Sequence, residues 1–506
     1  MYVQVILPLR LAWLPAYRAE GMSLQVGARV RVRFAGREYV GVVSRLDVTP
    51  DIDARRIQPV LGVEEQLPPV LPSELAFWQF ISEYYLCSVG EVYKYVYPAS
   101  RNRTEEKKAR RALAKTALPG PSRLDAAGKA AAAAVLAAFD ADRPVLLQTA
   151  RPERIETELI RRCLESGRDV LVIDPDAPRE SYVALRDRSR AVREGGPVLI
   201  RGSKANLFLS FVHLGLVIVR DEHSERHKQS ALAPRFHARD AAVMLAHQCG
   251  AQVLLVSDTP SLESLYNCRS GRYVLVPYAL PDAEAQRPEL IDTSAELRKN
   301  GMVGGFSRRL LAAMGEAFER KEHVLVLVPW KDTRDVEIEA RGVFPKARTL
   351  LEVLPLDSDC TPGKYQLAVL LRADYLLGRT DFRSDEKALR IIHALSARFS
   401  RLVVQTADTG YAVLAGMDSE KLLQERRQFG LPPYTRIVDL SVSDPNEARR
   451  AKMTQELTRL MGGSLRIILQ RDPALAARKA DIYAAVTRFE ADKRYAGHVV
   501  IDVDPV

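Results

Sequence analysis

The sequence predicts an α/β multidomain protein, in which a small N-terminal β domain and a helical module precede two parallel-sheet lobes and a C-terminal α+β domain. Three patterns carry that reading. Apolar runs, DVLVID, GPVLI, LGLVIV and AQVLLVS, recur with helix-length segments between them, as strands buried on both faces of a parallel sheet require. A second set, HVLVLVP, YQLAVLL and RLVVQT, lies within 306–410. The last stretch, 417–506, alternates strand, helix, strand, helix, strand, the order of a small α+β sandwich.

Residues 1–70 read as short strands, VQVIL, ARVRVRF and REYVGVVSRL, punctuated by Gly27, Gly36 and Gly41. Alternation along Arg29–Phe34 puts Arg29, Arg31 and Arg33 on one face and Val30, Val32 and Phe34 on the other, with Arg37 beside the cationic side. Residues 71–99 turn helical, with Leu75, Trp78, Phe80, Ile81 and Tyr84 at mixed three and four spacings, a length that suits a module of winged-helix type. Residues 100–125 form a basic linker with seven Lys/Arg against two Glu between Arg101 and Lys115. The first lobe then spans 126–280, opening on an Ala-rich helix; the second spans 281–416, and the C-terminal domain 417–506.

The 506 residues suffice for several cores. Lys plus Arg exceed Asp plus Glu by 74 to 64, a net +10, which favours a polyanionic partner such as nucleic acid. Five scattered cysteines without a C-x-x-C pair argue against a zinc ribbon and a disulfide framework. The N-terminus lacks a basic leader pattern, and no apolar run nears the roughly 18 residues of a membrane span. A cytoplasmic protein with no membrane association is expected.

Eight strings in order carry a family resemblance: ILPL followed by VGARVRVRFAGREYVGVV at 6–43, WQFISEYYLCSVGEVYKYVYP at 78–98, HLGLVIVRDEHSERHKQ at 213–229, APRFHARDAAVMLA at 233–246, SDTPSLES at 257–264, TDFRSDEKAL at 380–389, QERRQFGLPPYTRIV at 424–438 and IDVDP at 501–505. Together they resemble primosomal protein N′ (PriA), a replication-restart helicase family, across nearly the whole chain. The resemblance implies a 3′ DNA-binding domain, a winged helix, two RecA-like lobes and a C-terminal domain. The family's zinc-binding insertion is missing, since HVLVLVPWKDTRD runs directly into VEIEARGVFPKAR. No zinc or other metal site is expected.

The resemblance also shows where the motor has changed. The family's phosphate loop, G-x-x-x-x-G-K-[ST], cradles phosphates with amides and lysine while its hydroxyl binds magnesium. Here Thr149 and Arg154 stand for the framing glycines, Ile155 for the lysine and Glu156 for the hydroxyl. The DEEH box becomes Arg220, Asp221, Glu222 and His223, with arginine in place of the metal-binding Asp. An arginine about 4 Å from magnesium repels it by roughly 8 kcal/mol at an effective dielectric of 20, so Arg220 should swing away or exclude the ion. A bulge slipping Asp221 into its place is the alternative. Arg398 and Arg401 keep the spacing of the family's Q-x-x-G-R-x-G-R arginines without its glutamine and glycines, and read as surface residues. The strand region GKYQLAVLLRAD at 363–374 lacks the expected G-T-Q-M segment.

DNA-binding chemistry needs cations and stacking groups but no catalytic metal, and it is better kept. Its candidates are Arg29, Arg31, Arg33, Arg37 and Lys94, the last beside Tyr93, Tyr95 and Tyr97. Tyr17 is the survivor of the family's F-[DT]-Y segment, whose other positions hold Pro15 and Ala16. The reading is a non-catalytic scaffold for forked or single-stranded DNA that recruits other primosome or replication-restart proteins. ATP and magnesium enter only under the alternative, an ATP-dependent 3′ to 5′ helicase with a rearranged site.

Overall fold

The computed structural model describes residues 1–50, 53–65, 67–97, 118–120, 123–279, 287–356, 358, 363–377, 381–411, 413–414, 416–492 and 497–506. Two units emerge: Met1–Tyr278 completed by Pro432–Val506, and Ala279–Leu431.

Strands β1 (Tyr2–Ile6), β2 (Ala16–Arg18), β3 (Arg29–Phe34), β4 (Arg37–Arg45) and β5 (Val60–Val63) form an antiparallel sheet in the order β2-β1-β4-β3-β5. Ala35 and Gly36 both take positive φ, as a two-residue hairpin between twisted strands demands, and they set Phe34 opposite Arg37. Val30 and Val32 point into the core while Arg31 and Arg33 face water. Arg29 departs from that alternation. It is 1% exposed, its Nε donating to Pro68 O at 2.8 Å and Nη1 to Tyr93 Oη at 3.3 Å, with its guanidinium 4.0 Å from the Tyr97 ring centre. A strand face that was expected to be solvent-exposed is covered here by Pro68, Tyr93 and Tyr97, distant in sequence, so Arg29 cannot contact a phosphate.

The cover is a helix pair, α1 (Pro72–Tyr85) and α2 (Val89–Val96). Ser88 and Glu91 close a reciprocal capping box at the start of α2, which fixes where that helix begins. It meets the segment that follows β1 so closely that a β-carbon on Gly90 would lie 2.1 Å from Leu9 O. Trp78 stacks on Tyr93, and Tyr95 sets its edge against Phe208 and Phe236, so these tyrosines pack rather than present stacking faces. The described residues 71–97 contain two helices and no strand, which departs from the expected winged helix. Most of the basic linker, 98–117 with 121–122, lies outside the described residues.

The next element is helix α3 (Ala126–Asp140). A parallel sheet follows, built from β6 (Val145–Gln148), β7 (Asp169–Ile173), β8 (Leu199–Gly202), β9 (Leu214–Val219), β10 (Gln252–Ser257) and β11 (Val274–Pro277), ordered β11-β6-β10-β9-β7-β8. Helices α4 (Glu153–Glu165), α5 (Tyr182–Glu194), α6 (Ala238–Cys249) and α7 (Leu262–Arg269) cross between the strands. One sheet face packs on α3 and α4; the other shares a core with α6 and the N-terminal helices. Every residue of β7 and β9 is buried, which is why both read as unbroken apolar runs.

The second unit carries its own parallel sheet: β12 (Glu289–Asp292), β15 (Val324–Val328), β16 (Leu351–Pro355), β17 (Leu367–Leu370) and β18 (Leu402–Thr406), ordered β12-β18-β17-β15-β16. Alongside run the small pair β13 (Met302–Val303) and β14 (Phe306–Ser307), with α8 (Thr293–Lys299), α9 (Arg308–Glu319), α10 (Thr333–Val343), α11 (Asp374–Leu377), α12 (Ser384–Arg398) and α13 (Ser419–Gln428). Helix α13 belongs to this unit, so the division falls after Leu431 rather than at 416. Arg426 decides it: buried on α13, it pairs with Glu386 at 3.7 Å, donates to Phe382 O at 2.6 Å and lies over the Phe382 ring.

The C-terminal domain is the expected β-α-β-α-β: β19 (Thr435–Ser443), α14 (Glu447–Leu460), β20 (Arg466–Gln470), α15 (Leu475–Glu490) and β21 (His498–Val503), with sheet order β20-β19-β21. It completes the first unit through Lys228, whose wholly buried ammonium donates to Val503 O at 2.6 Å and Asp504 O at 3.1 Å and pairs with Asp502 at 2.8 Å. A buried ammonium is stable only with its donors so satisfied. Among the described residues no helix is long and apolar enough to cross a membrane. Lys228→Ala should lower stability by about 3 kcal/mol, read as a drop in the urea midpoint, and should make 432–506 the first segment released by trypsin.

Candidate functional site

Parallel strands deliver their following loops to one edge of the sheet, where α/β proteins bind ligands. In the first sheet that edge is filled from within. After β6 only four residues precede α4, whose first turn carries Glu153 and Glu156, so carboxylates face the helix N-terminus that phosphates otherwise favour. Ile155 is fully buried against the α3 and α4 side of the core. Thr149 is buried too, its Oγ1 accepting from Arg151 N at 3.0 Å and its own N–H donating to Ser257 O. Arg154 turns outward to Arg123 O.

Glu156 is 1% exposed, and its partner is Arg220. Directly after β9, Arg220 donates from Nε to both Glu156 oxygens at 3.1 Å, and from Nη2 to Oε2. Asp174, at the end of β7, stands 4.0 Å from the same guanidinium. The hydrogen bonds to Glu156 hold Arg220 still more firmly protonated than an ordinary arginine. Its backbone is fixed as well, since the N–H donates to Ile173 O at 3.0 Å and the carbonyl accepts from His227 Nε2 at 2.8 Å.

The chain then turns at Asp221, an exposed residue with φ of 44°, so Arg220, and not a slipped Asp221, takes the position facing α4. Glu222 is fully buried and accepts from Ser261 N (2.7 Å), Ser261 Oγ (2.8 Å), Ser264 Oγ (2.7 Å) and Arg239 Nη1 (3.4 Å). A carboxylate so enclosed braces the start of α7 and does not activate water, which removes it from the candidate catalytic set. His223 Nδ1 lies 2.6 Å from the buried Ser257 Oγ, joining the loop to β10.

In the N-terminal domain Arg31, Arg33, Arg37 and Lys94 are exposed, with Arg31 4.0 Å from Glu38. Tyr17 is 2% exposed, its hydroxyl donates to Arg33 O at 3.3 Å, and burial pushes its pKa up to about 12; that placement corrects the expectation that it meets DNA. The aromatic that does reach solvent was not singled out in the sequence. Trp13 is 58% exposed, with its ring 6.1 Å from Phe34, and Phe34 faces Arg37 across the hairpin. In the second unit Arg398 is exposed at the end of α12, and Arg401 pairs with Glu289 at 3.3 Å.

Residues 4–98 match the family model described as the 3′ DNA-binding domain of PriA, a span that takes in both the antiparallel sheet and its two covering helices. The replication restart protein PriA of Rickettsia felis is 25% identical over 341 residues, covering 61% of this chain and 50% of that protein. Its counterpart in Chlamydia pneumoniae is 39% identical over 145 residues, 28% of this chain and 19% of the relative. The chain is thus similar to replication restart protein PriA, over residues 4–98 by the family model and over longer stretches by these relatives. It spans about half the length of the Rickettsia relatives it matches. Among solved structures, a DEAD box protein from the hyperthermophile Methanococcus jannaschii aligns over 59% of this chain and 90% of that one, at 11% identity and a TM-score of 0.30.

Glu156 and Arg220, the residues that the sequence alignment set at the phosphate-loop hydroxyl and the metal-binding Asp, bond to each other. Opposite charges at two motif positions 64 residues apart were the available sequence signal for that pair. Truncating either partner leaves a buried charge or an empty acceptor, so Arg220→Ala and Glu156→Ala should each cost about 3 kcal/mol. The double variant should cost less than their sum, and urea unfolding of the four proteins closes the cycle. Burial pushes the His227 pKa down to about 4 from an ordinary 6.5, so neutral His227 contributes stability that is full above about pH 6.5 and lost as pH falls through 4. The loss is roughly 3 kcal/mol; His227→Gln should flatten that acid limb in urea midpoints measured from pH 7 to pH 4.

Proposed function

We propose that the chain is a non-catalytic PriA-family protein that binds forked or single-stranded DNA and serves as a scaffold for other replication-restart proteins. The observation that carries this reading is the Glu156–Arg220 pair. A magnesium nucleotide does not fit residues that meet it with a guanidinium at the metal position, a carboxylate at the hydroxyl position and a buried isoleucine in place of the lysine. Placing the ion would first require breaking a buried ion pair, at several kcal/mol.

The DNA-binding half of the reading rests on surface chemistry that needs no metal. Trp13 offers a base-stacking face beside the hairpin tip, while Arg31, Arg33 and Arg37 offer phosphate contacts along β3 and β4. Lys94 adds a cation on α2. The resemblance of residues 4–98 to a 3′ DNA-binding domain supports the same assignment.

Two measurements test the halves separately. Purified protein should show no ATP hydrolysis above background with single-stranded DNA present; hydrolysis that is lost on Asp221→Asn would instead overturn the non-catalytic reading. Fluorescence anisotropy with forked DNA should give affinity that falls steeply with salt, and Arg33→Ala with Arg37→Ala should flatten the slope by about 1 to 2. Trp13→Ala should weaken binding about tenfold at every salt concentration; affinity indifferent to salt and to these changes would refute the interface.

A further inference from the structure

Helix α10 has two unlike faces. Val336 and Ala340 bury into the second unit's core against β15 and β16. Trp330, in the single turn that leads into the helix, is 79% exposed, and Ile338 is 64% exposed. With the exposed Arg334 and Arg341 they recur at spacings of four, four and three, the rhythm of one helical face. The line is about 16 Å long at 1.5 Å per residue. A tryptophan in water forgoes the burial that makes it a core residue, and Trp and Arg together are the residues that carry most of the energy of protein interfaces.

Gly342 is a second mark on that surface. It lies inside α10, exposed, with nothing within 4 Å of the place its β-carbon would take, so packing inside the chain does not call for it. Glycine weakens a helix interior, and the bare backbone it leaves one turn from Ile338 admits the close approach of another backbone. Charge selects the kind of partner. Within 330–348, Asp332 is taken up by Arg372 at 3.1 Å, Glu337 by Arg341 at 2.6 Å and Glu339 by Gly305 N at 2.6 Å. Arg334, Lys346 and Arg348 are exposed and form no ion pair among the described residues, with only Asp335 free to oppose them. An apolar line beside unopposed cations suits a helix with apolar residues at the same spacing and carboxylates at their flank. Ile338 and Gly342 offer a nucleic acid neither charge nor a stacking face, which favours a protein.

We infer that the Trp330–Ile338 face of α10 docks an acidic amphipathic helix of a partner protein, an assignment that rests on the scaffold reading above and gives it a surface and a partner chemistry. The probe is a synthetic helical peptide with leucine at the a and d positions of its heptads and glutamate beside them; its control carries lysine in place of glutamate. In the full chain with Trp13→Phe, buried Trp78 and exposed Trp330 are the remaining tryptophans. The acidic peptide should shift the indole emission to the blue as Trp330 leaves water, and the lysine peptide should not. Trp330→Ala with Ile338→Ser should weaken the labelled acidic peptide about tenfold in anisotropy, and Arg334→Glu should weaken it and flatten its salt dependence. Gly342→Ala should raise the thermal midpoint, as helix propensity dictates, yet weaken the peptide severalfold. Equal binding of the two peptides, undiminished binding by the double variant, or no shift with either peptide overturns the site. A blue shift produced by oligothymidylate, or by raising the protein concentration, with the acidic peptide inert, overturns it in favour of nucleic acid or a second copy of the chain. Failure here leaves the DNA anisotropy of the N-terminal surface as it was, whereas ATP hydrolysis removes the non-catalytic reading and leaves peptide binding standing.

Discussion

A carboxylate buried in the first turn of α4 has to be neutralised, and Arg220 is what neutralises it. Much of the first unit's sheet edge follows from that constraint. To reach Glu156, Arg220 has its backbone held between Ile173 and His227, which forces the left-handed turn at Asp221. The turn in turn sends Glu222 inward to the serines that start α7. In a nucleotide-driven lobe these loops wait for an external anion and a cation; here Glu156 supplies the negative charge at the helix N-terminus and Arg220 the positive one. The edge is electrostatically complete without a ligand.

The chain therefore treats its interior and its surface differently. Ile155 and Glu222 are wholly packed into the interior, while cations such as Arg33 and Arg37 and the Trp13 ring stay in water. Trp78 is wholly buried against Tyr93, whereas Trp13 and Trp330 are not. One residue type thus separates a structural role from the candidate N-terminal binding surface by exposure alone.

How much of this could be read from sequence depended on the range of the interaction. Strands buried on both faces, such as Val170–Ile173 and Leu214–Val219, are legible because every position obeys the same rule. The C-terminal domain's order was legible for a similar reason, each element having its own local period. Arg29 was not, because strand alternation is local and its cover comes from Pro68, Tyr93 and Tyr97. Tyr17 failed likewise, buried under its own sheet's core. The motif losses at Glu156 and Arg220 were visible singly; that they answer each other needed the fold to bring the ends of β6 and β9 to one edge.

The first unit is made of two pieces of chain with the second unit threaded between them as a guest. Lys228 is 275 positions from the carbonyl that receives it, so during synthesis its ammonium is made long before any acceptor exists. The host stays unfinished until Val503 has been made. Removal of 501–505 therefore strands the Lys228 ammonium in the core, and the IDVDP string acts as the latch of a unit whose other piece lies more than 200 residues earlier.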